Sequence, residues 1–188
     1  MGTKERLLQV GYDLMQKNGF IDTSVNQILE RSKIPKGSFY HHFKNKLDFI
    51  NAILDKHLSY LEGEYQLILN DKKLNNKEKL KKIFEFNIKF YLADKNGSPF
   101  QSLLEEIAET DEKCREKILE HIKYFKYLIE NLIDKMKSSG EIQIEEDSKN
   151  ITEWIINSRY GAMANMKLKK SYSSMASFFQ FVFYYILK

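Results

Sequence analysis

The chain has 188 residues, 30 basic and 26 acidic side chains, and a formal net charge of +4. Eight glycines and two prolines are too few for a β protein whose turns recur every ~8–12 residues, and the single cysteine, Cys114, excludes an intramolecular disulfide framework or a multi-cysteine zinc site. The N-terminus has no signal-peptide pattern, and the most apolar stretch, Met175 to Leu187, is broken by Ser177 and Gln180 and falls short of the ~20 residues that span a bilayer. The expectation is an all-α, cytoplasmic protein with no membrane partner, no cofactor and no metal.

Leu7, Val10, Gly11, Leu14 and Met15 recur at helical spacing, and Gly19–Phe20 supplies a left-handed stop. Thr23 is positioned to cap a short helix carrying Val25, Ile28 and Leu29, which cannot pass Ile34–Pro35. A third short helix fits Lys36–His42, and a long one follows through Leu47, Ile50, Ile53, Leu54, Leu58 and Leu61. Asn76 is read as the cap of the next, through Leu80, Ile83, Phe84, Asn87 and Phe90. Ser98–Pro99 starts another, running to about Glu109. Asp111 opens a long helix through Ile118, Ile122, Phe125, Leu128 and Leu132, stopped by Gly140. A final pair covers residues 147–168 and 171–187, giving about nine helices in all.

The charge is unevenly placed. Residues 1–50 carry eight basic and five acidic side chains, a net +3 that leaves only +1 for the remainder. Between Arg31 and Leu47 lie five positive residues and no acid, a candidate phosphate-binding surface. Two short helices joined by a tight turn suit the major groove, where the second lies in the groove and the first crosses the backbone. Val25, Ile28, Leu29, Ile34, Phe39 and Phe43 would form the core behind such a pair. Lys36, Gly37, Ser38, Tyr40 and His41 would face outward, flanked by Arg31, Lys33, Lys44 and Lys46. Gly37 costs about 1 kcal/mol of helix propensity in so short a helix, which points to a reason other than stability.

The run from Gly19 to Lys46, GFIDTSVNQILERSKIPKGSFYHHFKNK, resembles the N-terminal domain of the tetracycline-repressor (TetR) family of bacterial transcription regulators. The resemblance is carried by Gly19–Phe20, Thr23–Ser24–Val25 and the stretch from Pro35 to Phe43, with Asn45–Lys46 behind it. Gly11 stands where that family more often has alanine, a small-for-small change expected to matter little. The resemblance implies a three-helix helix–turn–helix DNA-binding domain over residues 1–46 and a helical ligand-binding and dimerisation domain over 47–188. It implies DNA contacts from Lys36, Gly37, Ser38, Tyr40 and His41 on the reading helix, from Thr23, Ser24 and Asn26 on the preceding one, and from Lys46 at the start of the long helix. For Thr23, capping alone is the competing reading.

From residue 52 onward the chain holds 19 of its 25 aromatic residues, consistent with an apolar pocket carrying a few polar handles. The candidate pocket group is Phe86, Phe90, Tyr91, Phe100, Leu104, Tyr124, Tyr127, Trp154 and Asn157, set against a packed core as the alternative. Ser158, Gly161, Ala162 and Asn165 make one narrow small-residue face. The last helix is apolar nearly all round and must be buried on more than one side. A homodimer interface through those four residues with Phe179 and Phe183 is therefore expected. Cys114 lies between Lys113 and Arg115, which would lower its pKa, but a lone thiol without a resolving partner favours a plain structural position.

No nucleophile–base pair, carboxylate pair or phosphate-cradling glycine loop is visible, so the chain is not read as an enzyme. The expected partners are a double-stranded DNA operator, a small-molecule effector and a second copy of the chain. A helical small-molecule-binding or adaptor protein without operator binding is the alternative.

Overall fold

The computed structural model describes residues 1–19, 22–92 and 111–188. Among the described residues every regular element is helical: α1 (Thr3–Asn18), α2 (Val25–Ser32), α3 (Lys36–His42), α4 (Lys46–Leu69), α5 (Asn76–Leu92), α6 (Glu112–Ser139), α7 (Ser148–Lys169) and α8 (Ser173–Gln180). The last continues as a π-helical turn, Phe181–Ile186. The expected helix over 98–109, with Ser98–Pro99 at its start, lies outside the described residues, as does Phe20.

Several helix starts fall one residue from their expected caps. Ser24, not Thr23, caps α2: its Oγ accepts the Gln27 N–H at 3.2 Å while Gln27 Oε1 accepts the Ser24 N–H at 2.7 Å. This reciprocal box satisfies two donors that the helix itself leaves open. Asn75, not Asn76, forms the same box with Glu78 at α5, at 2.8 and 2.9 Å. Asp111 does cap α6, its Oδ1 accepting the Cys114 N–H at 2.8 Å. Gly19 ends α1 with φ 87° and ψ 166°, a positive-φ extended conformation rather than the left-handed helical one, and its N–H donates to Met15 O at 2.9 Å.

The chain divides into two compact units. The first comprises residues 1–66 and 87–120, so the expected boundary after residue 46 lies within it. Its core joins Leu7 and Met15 of α1, Ile28 of α2, Phe39 of α3, Phe43 and the α4 residues Phe49, Ile50 and Ile53, all buried. Phe49 is fully buried, with its ring 5.2 Å from that of Phe39 and 4.9 Å from that of Phe43. Gly11 lets α1 come close to this ring. A Cβ at residue 11 would stand 2.4 Å from Phe49 Cζ and 3.2 Å from Ile53 Cδ1. The glycine is thus required by packing, contrary to the reading of a small change that matters little. Further along α4, Tyr65 is buried and donates its hydroxyl to Asn87 Oδ1 at 2.7 Å.

Cys114 is fully buried in the same unit. Burial, then the hydrogen bond and charge of Asp111, push its thiol up to about 12. Arg115 is engaged with Glu112 on the surface, so the basic neighbours do not activate the sulfur. The thiol is inert.

The second unit comprises residues 67–86 and 121–188. Phe84 is buried at its centre, edge-on to the rings of Phe125 at 6.2 Å, Phe178 at 5.9 Å and Phe183 at 6.2 Å. Gly140 ends α6 at φ 74°, and the next residue turns its carboxylate onto the start of α5. Glu141 there accepts the Lys77 N–H at 3.0 Å and the Asn76 side-chain N–H at 2.6 Å. Burial pushes the Glu141 pKa up, but these bonds and one from Ser139 outweigh it and hold it below the ordinary carboxylate value. Lys126 and Glu153 tie α6 to α7 by an ion pair.

Gly11→Ala is expected to lower the melting temperature. Overpacking costs about 1–3 kcal/mol, against about 1 kcal/mol regained in helix propensity. A rise in thermal unfolding temperature would contradict the packing role. Cys114 is expected to resist thiol reagents in the native protein and to react only on unfolding; rapid labelling of folded protein by a chromogenic disulfide would refute its inert state.

Candidate nucleic-acid interface

The α2–α3 pair is fixed from behind by apolar burial and in its turn by backbone geometry. Ile28 and Phe39 are fully buried, and Ser32 donates its hydroxyl to Leu29 O at 3.2 Å. Lys33 takes the left-handed conformation, φ 54° and ψ 37°, and the N–H of Ile34 reaches back to Leu29 O at 3.3 Å. Pro35 then starts α3, its carbonyl accepting from Ser38 N–H at 3.0 Å. The turn is closed by one strained lysine rather than by glycine.

Burying Phe39 turns the remaining face of α3 outward. Lys36, Gly37, Tyr40 and His41 are exposed and Ser38 is half-buried. Lys36 Nζ lies 5.9 Å from the centre of the Tyr40 ring, which is itself 48% exposed. Beyond its own turn of helix, a Cβ at Gly37 would meet nothing within 4 Å among the described residues, so packing does not require glycine there. Ser24 and Asn26 are exposed at the start of α2. Thr23 departs from this set. It is fully buried, and its hydroxyl donates to Gly19 O at 2.7 Å, so the side chain braces the loop after α1 instead of facing solvent.

Lys46 is the first residue of α4 and half-buried. The same helix start carries another box, in which Asn45 Oδ1 accepts the Asp48 N–H at 2.8 Å and Asp48 Oδ2 accepts the Lys44 N–H at 3.0 Å. Lys4 Nζ stands 5.8 Å from the Phe43 ring centre, adding a cation from α1 to this end of the unit.

Of the expected ligand-pocket residues, five have side chains among those described. Phe86 and Tyr124 are half-buried, whereas Tyr127 is 66% exposed and Trp154 and Asn157 are also exposed. The side chains of Phe90, Tyr91, Phe100 and Leu104 lie outside the described residues. Sequence spacing alone does not tell which side of an aromatic-rich helix faces inward. Among the described residues no cluster of three or more His, Cys, Asp and Glu side chains suits a metal ion, and no helix is long and apolar enough to cross a membrane.

The expected dimer residues divide as well. On α7, Gly161 and Asn165 are exposed, Ser158 and Ala162 half-buried. Phe183, by contrast, is buried and Phe179 half-buried, both packed on Phe84. The helix that reads as apolar all round spends that side on its own unit and turns Phe181, Tyr184 and Tyr185 outward, the tyrosines 71% and 67% exposed. Trp154 joins them, with its ring 5.3 Å from Phe181, which stacks at 5.7 Å on Tyr185. An aromatic patch therefore continues the small-residue face of α7. The nearly continuous apolar run of the last helix carries no phase, so spacing alone does not separate Phe181, Tyr184 and Tyr185 from Phe179 and Phe183.

Arg159 was also missed. Thr152, Ile155, Ile156, Met163 and Met166 recur with it at three- and four-residue steps on the buried stripe of α7. A lone charge on an apolar helical face was the signal present in the sequence.

Comparison with known proteins agrees with this geometry. Residues 7–53 match the family described as bacterial regulatory proteins, tetR family. The HTH-type transcriptional repressor DhaR of Mycobacterium sp. (strain GP1) is 22% identical over 180 residues, covering 96% of this chain and 90% of the relative. The HTH-type transcriptional repressor NemR of Escherichia coli (strain K12) is 40% identical over 55 residues, or 29% of this chain and 28% of NemR. Among solved structures, reduced E. coli NemR superimposes with a TM-score of 0.84 at 19% identity, covering 94% of this chain and 92% of that one. A regulatory protein TetR from Rhodobacter sphaeroides gives 0.81 at 22% identity, with 93% of each chain covered. The family match spans α1 to the first part of α4, the segment in which Gly11, Phe39, Phe43 and Phe49 pack and α3 faces outward, and residues 7–53 carry the N-terminal domain of bacterial regulatory proteins of the tetR family.

Proposed function

We propose that this chain is a ligand-responsive transcriptional repressor that binds a palindromic operator as a homodimer and leaves it when a small effector occupies the helical C-terminal part. The observation that carries the reading is the outer face of α3: a basic, polar surface including a glycine that no contact within the chain requires. A backbone that must approach a DNA strand closely gives that glycine its reason. Lys36, Ser38, Tyr40 and His41 would read the major groove. Ser24 and Asn26 would reach the backbone or a base edge beside their helix start, where partial positive charge favours phosphate. Lys46 would hold a phosphate at the start of α4. Thr23 enters this reading only as a brace for the loop that presents Ser24.

A dimer suits a two-fold operator, whose half-sites lie one helical turn or a multiple apart. The exposed patch of Trp154, Phe181, Tyr184 and Tyr185 beside Gly161 and Asn165 supports a partner on this side of α7 and α8. Monomers seldom leave large contiguous apolar patches in water. As with Gly37, a Cβ at Gly161 would meet nothing within 4 Å of its own chain, leaving room for another helix. An effector that shifts the course of α4 would alter the separation of the two reading heads, a coupling of ~1–3 kcal/mol.

Binding to duplex DNA flanking the chain's own gene, followed by fluorescence anisotropy at two salt concentrations, tests the reading. Salt-dependent binding is expected, and no binding to any duplex at low salt would leave the adaptor alternative. Lys46→Ala should weaken binding across sequences and reduce the salt slope by about one counterion. Tyr40→Ala should weaken operator binding; unchanged affinity in both variants would mean the assigned face is wrong. Gly37→Ala should separate stability from function, raising the former by up to about 1 kcal/mol while reducing operator affinity. A Gly37→Ala protein of full affinity would remove the close-approach argument. Gly161→Leu should yield a folded monomer by sedimentation, and a surviving dimer would contradict the proposed contact.

A further inference from the structure

The buried stripe of α7 carries a charge with no counter-charge among the described residues. Arg159 lies between Ile155, Ile156 and Met163 on the side of the helix opposite the exposed Trp154 and Gly161. Its guanidinium carbon stands 5.2 Å from the centre of the Phe125 ring and 5.1 Å from that of Tyr160. Its one hydrogen-bond partner among the described residues is the thioether of Met163, at 3.6 Å from Nη1. Arg159 Nε is buried and makes no hydrogen bond among the described residues, nor does any described carboxylate form an ion pair with this side chain. Thr152, two helical turns earlier on the same stripe, likewise buries an unpaired hydroxyl oxygen.

Folding rarely leaves a guanidinium in such surroundings. Desolvating a charge is costly unless an anion and hydrogen bonds compensate, and Arg is the residue whose planar fork grips a carboxylate with two parallel bonds. The two flanking rings stabilise the cation through their faces but accept none of its N–H bonds. Nearby His121 does not supply a counter-charge either. Burial first, and then the guanidinium, push its pKa down to about 4, so it is neutral at physiological pH. Aromatic walls around a cation suit an anion with an apolar body.

We propose that Arg159 is the receptor for the charged end of the effector, and that the effector is an organic carboxylate with an apolar aromatic or aliphatic body. The proposal rests on the regulator reading above and specifies its ligand class. Arg159 is half-buried as a residue, so its side chain is not wholly closed off from an incoming carboxylate.

The test uses the full chain and three probes, phenylacetate, benzoate and octanoate, each beside its neutral amide. In anion-poor buffer, Arg159→Met should melt no lower than the native protein, because an unbranched apolar side chain that matches the arginine stem replaces an uncompensated charge. At least one carboxylate should raise the native melting temperature by about 2–4 °C or more beyond its amide. That difference should vanish in Arg159→Met and shrink in Arg159→Lys, which keeps the charge but loses the fork. Shifts equal for acid and amide in all three pairs, or a carboxylate shift that survives Arg159→Met, would overturn the proposal. If Arg159→Met fails to fold, the charge is structurally required and the proposal falls unless Arg159→Lys folds and shows the reduced shift. Operator binding measured alongside separates the two readings. A carboxylate-specific shift without any duplex binding removes the regulator reading alone, and duplex binding without a carboxylate preference removes the anion site alone.

Discussion

The ring of Phe49 sits against the rings of Phe39 and Phe43, and α1 reaches it only because residue 11 has no side chain. This packing fixes the direction in which α3 faces. With Phe39 held inward from α3 and Phe43 at its end, the helix must turn Lys36, Gly37, Tyr40 and His41 to the outside. A helix of seven residues has little stability of its own, so its orientation is set by these contacts and by the Pro35 start rather than by propensity. The outward face of α3 is thus a consequence of aromatic packing behind it, which links buried residues of the unit to exposed ones.

Glycines divide by where their reason lies. Gly11 answers to atoms of its own chain, and an added methyl group would enter the Phe49 ring. Gly37 and Gly161 answer to none, although each gives up about 1 kcal/mol of helix propensity. Both stand on exposed surfaces, one beside cations and one beside aromatic side chains. Those neighbours suit different partners: phosphate for the first and a second apolar helix for the second. Arg159 is the converse case, a side chain whose missing partner is sought in the interior. For Gly37, Gly161 and Arg159 the proposed contact is one that the isolated chain does not make.

Much of the fold was legible because its punctuation is local. Pro35, Asp111 and Gly140 bracket helices as their chemistry predicts, Gly19 ends α1 in an extended rather than a left-handed helical conformation, and the basic run from Arg31 to Leu47 marks the charged end. The caps slipped by one residue at Thr23 and Asn76, where two adjacent polar residues compete and the reciprocal box with Gln27 or Glu78 decides. Thr23 then became a buried brace. The candidate pocket and the dimer face were harder to read, since Tyr127, Trp154, Phe179 and Phe183 all belong to aromatic-rich helices whose inward side depends on tertiary packing. Phe84 settles that side for Phe179 and Phe183 by drawing them into the core of their unit. Arg159 is the converse: its spacing from Ile155, Ile156 and Met163 places it on the apolar stripe of α7, a position legible in the sequence.

Hydroxyl-radical footprinting of the full chain on duplex DNA flanking its own gene tests the central claim most directly. The outward face of α3, presented twice by a symmetric dimer, predicts two protected half-sites on one side of the duplex, their centres one helical turn or a multiple apart, with protection that fades as salt is raised. Absence of protection at low salt, or a single half-site that persists at concentrations where the chain is dimeric, would contradict it.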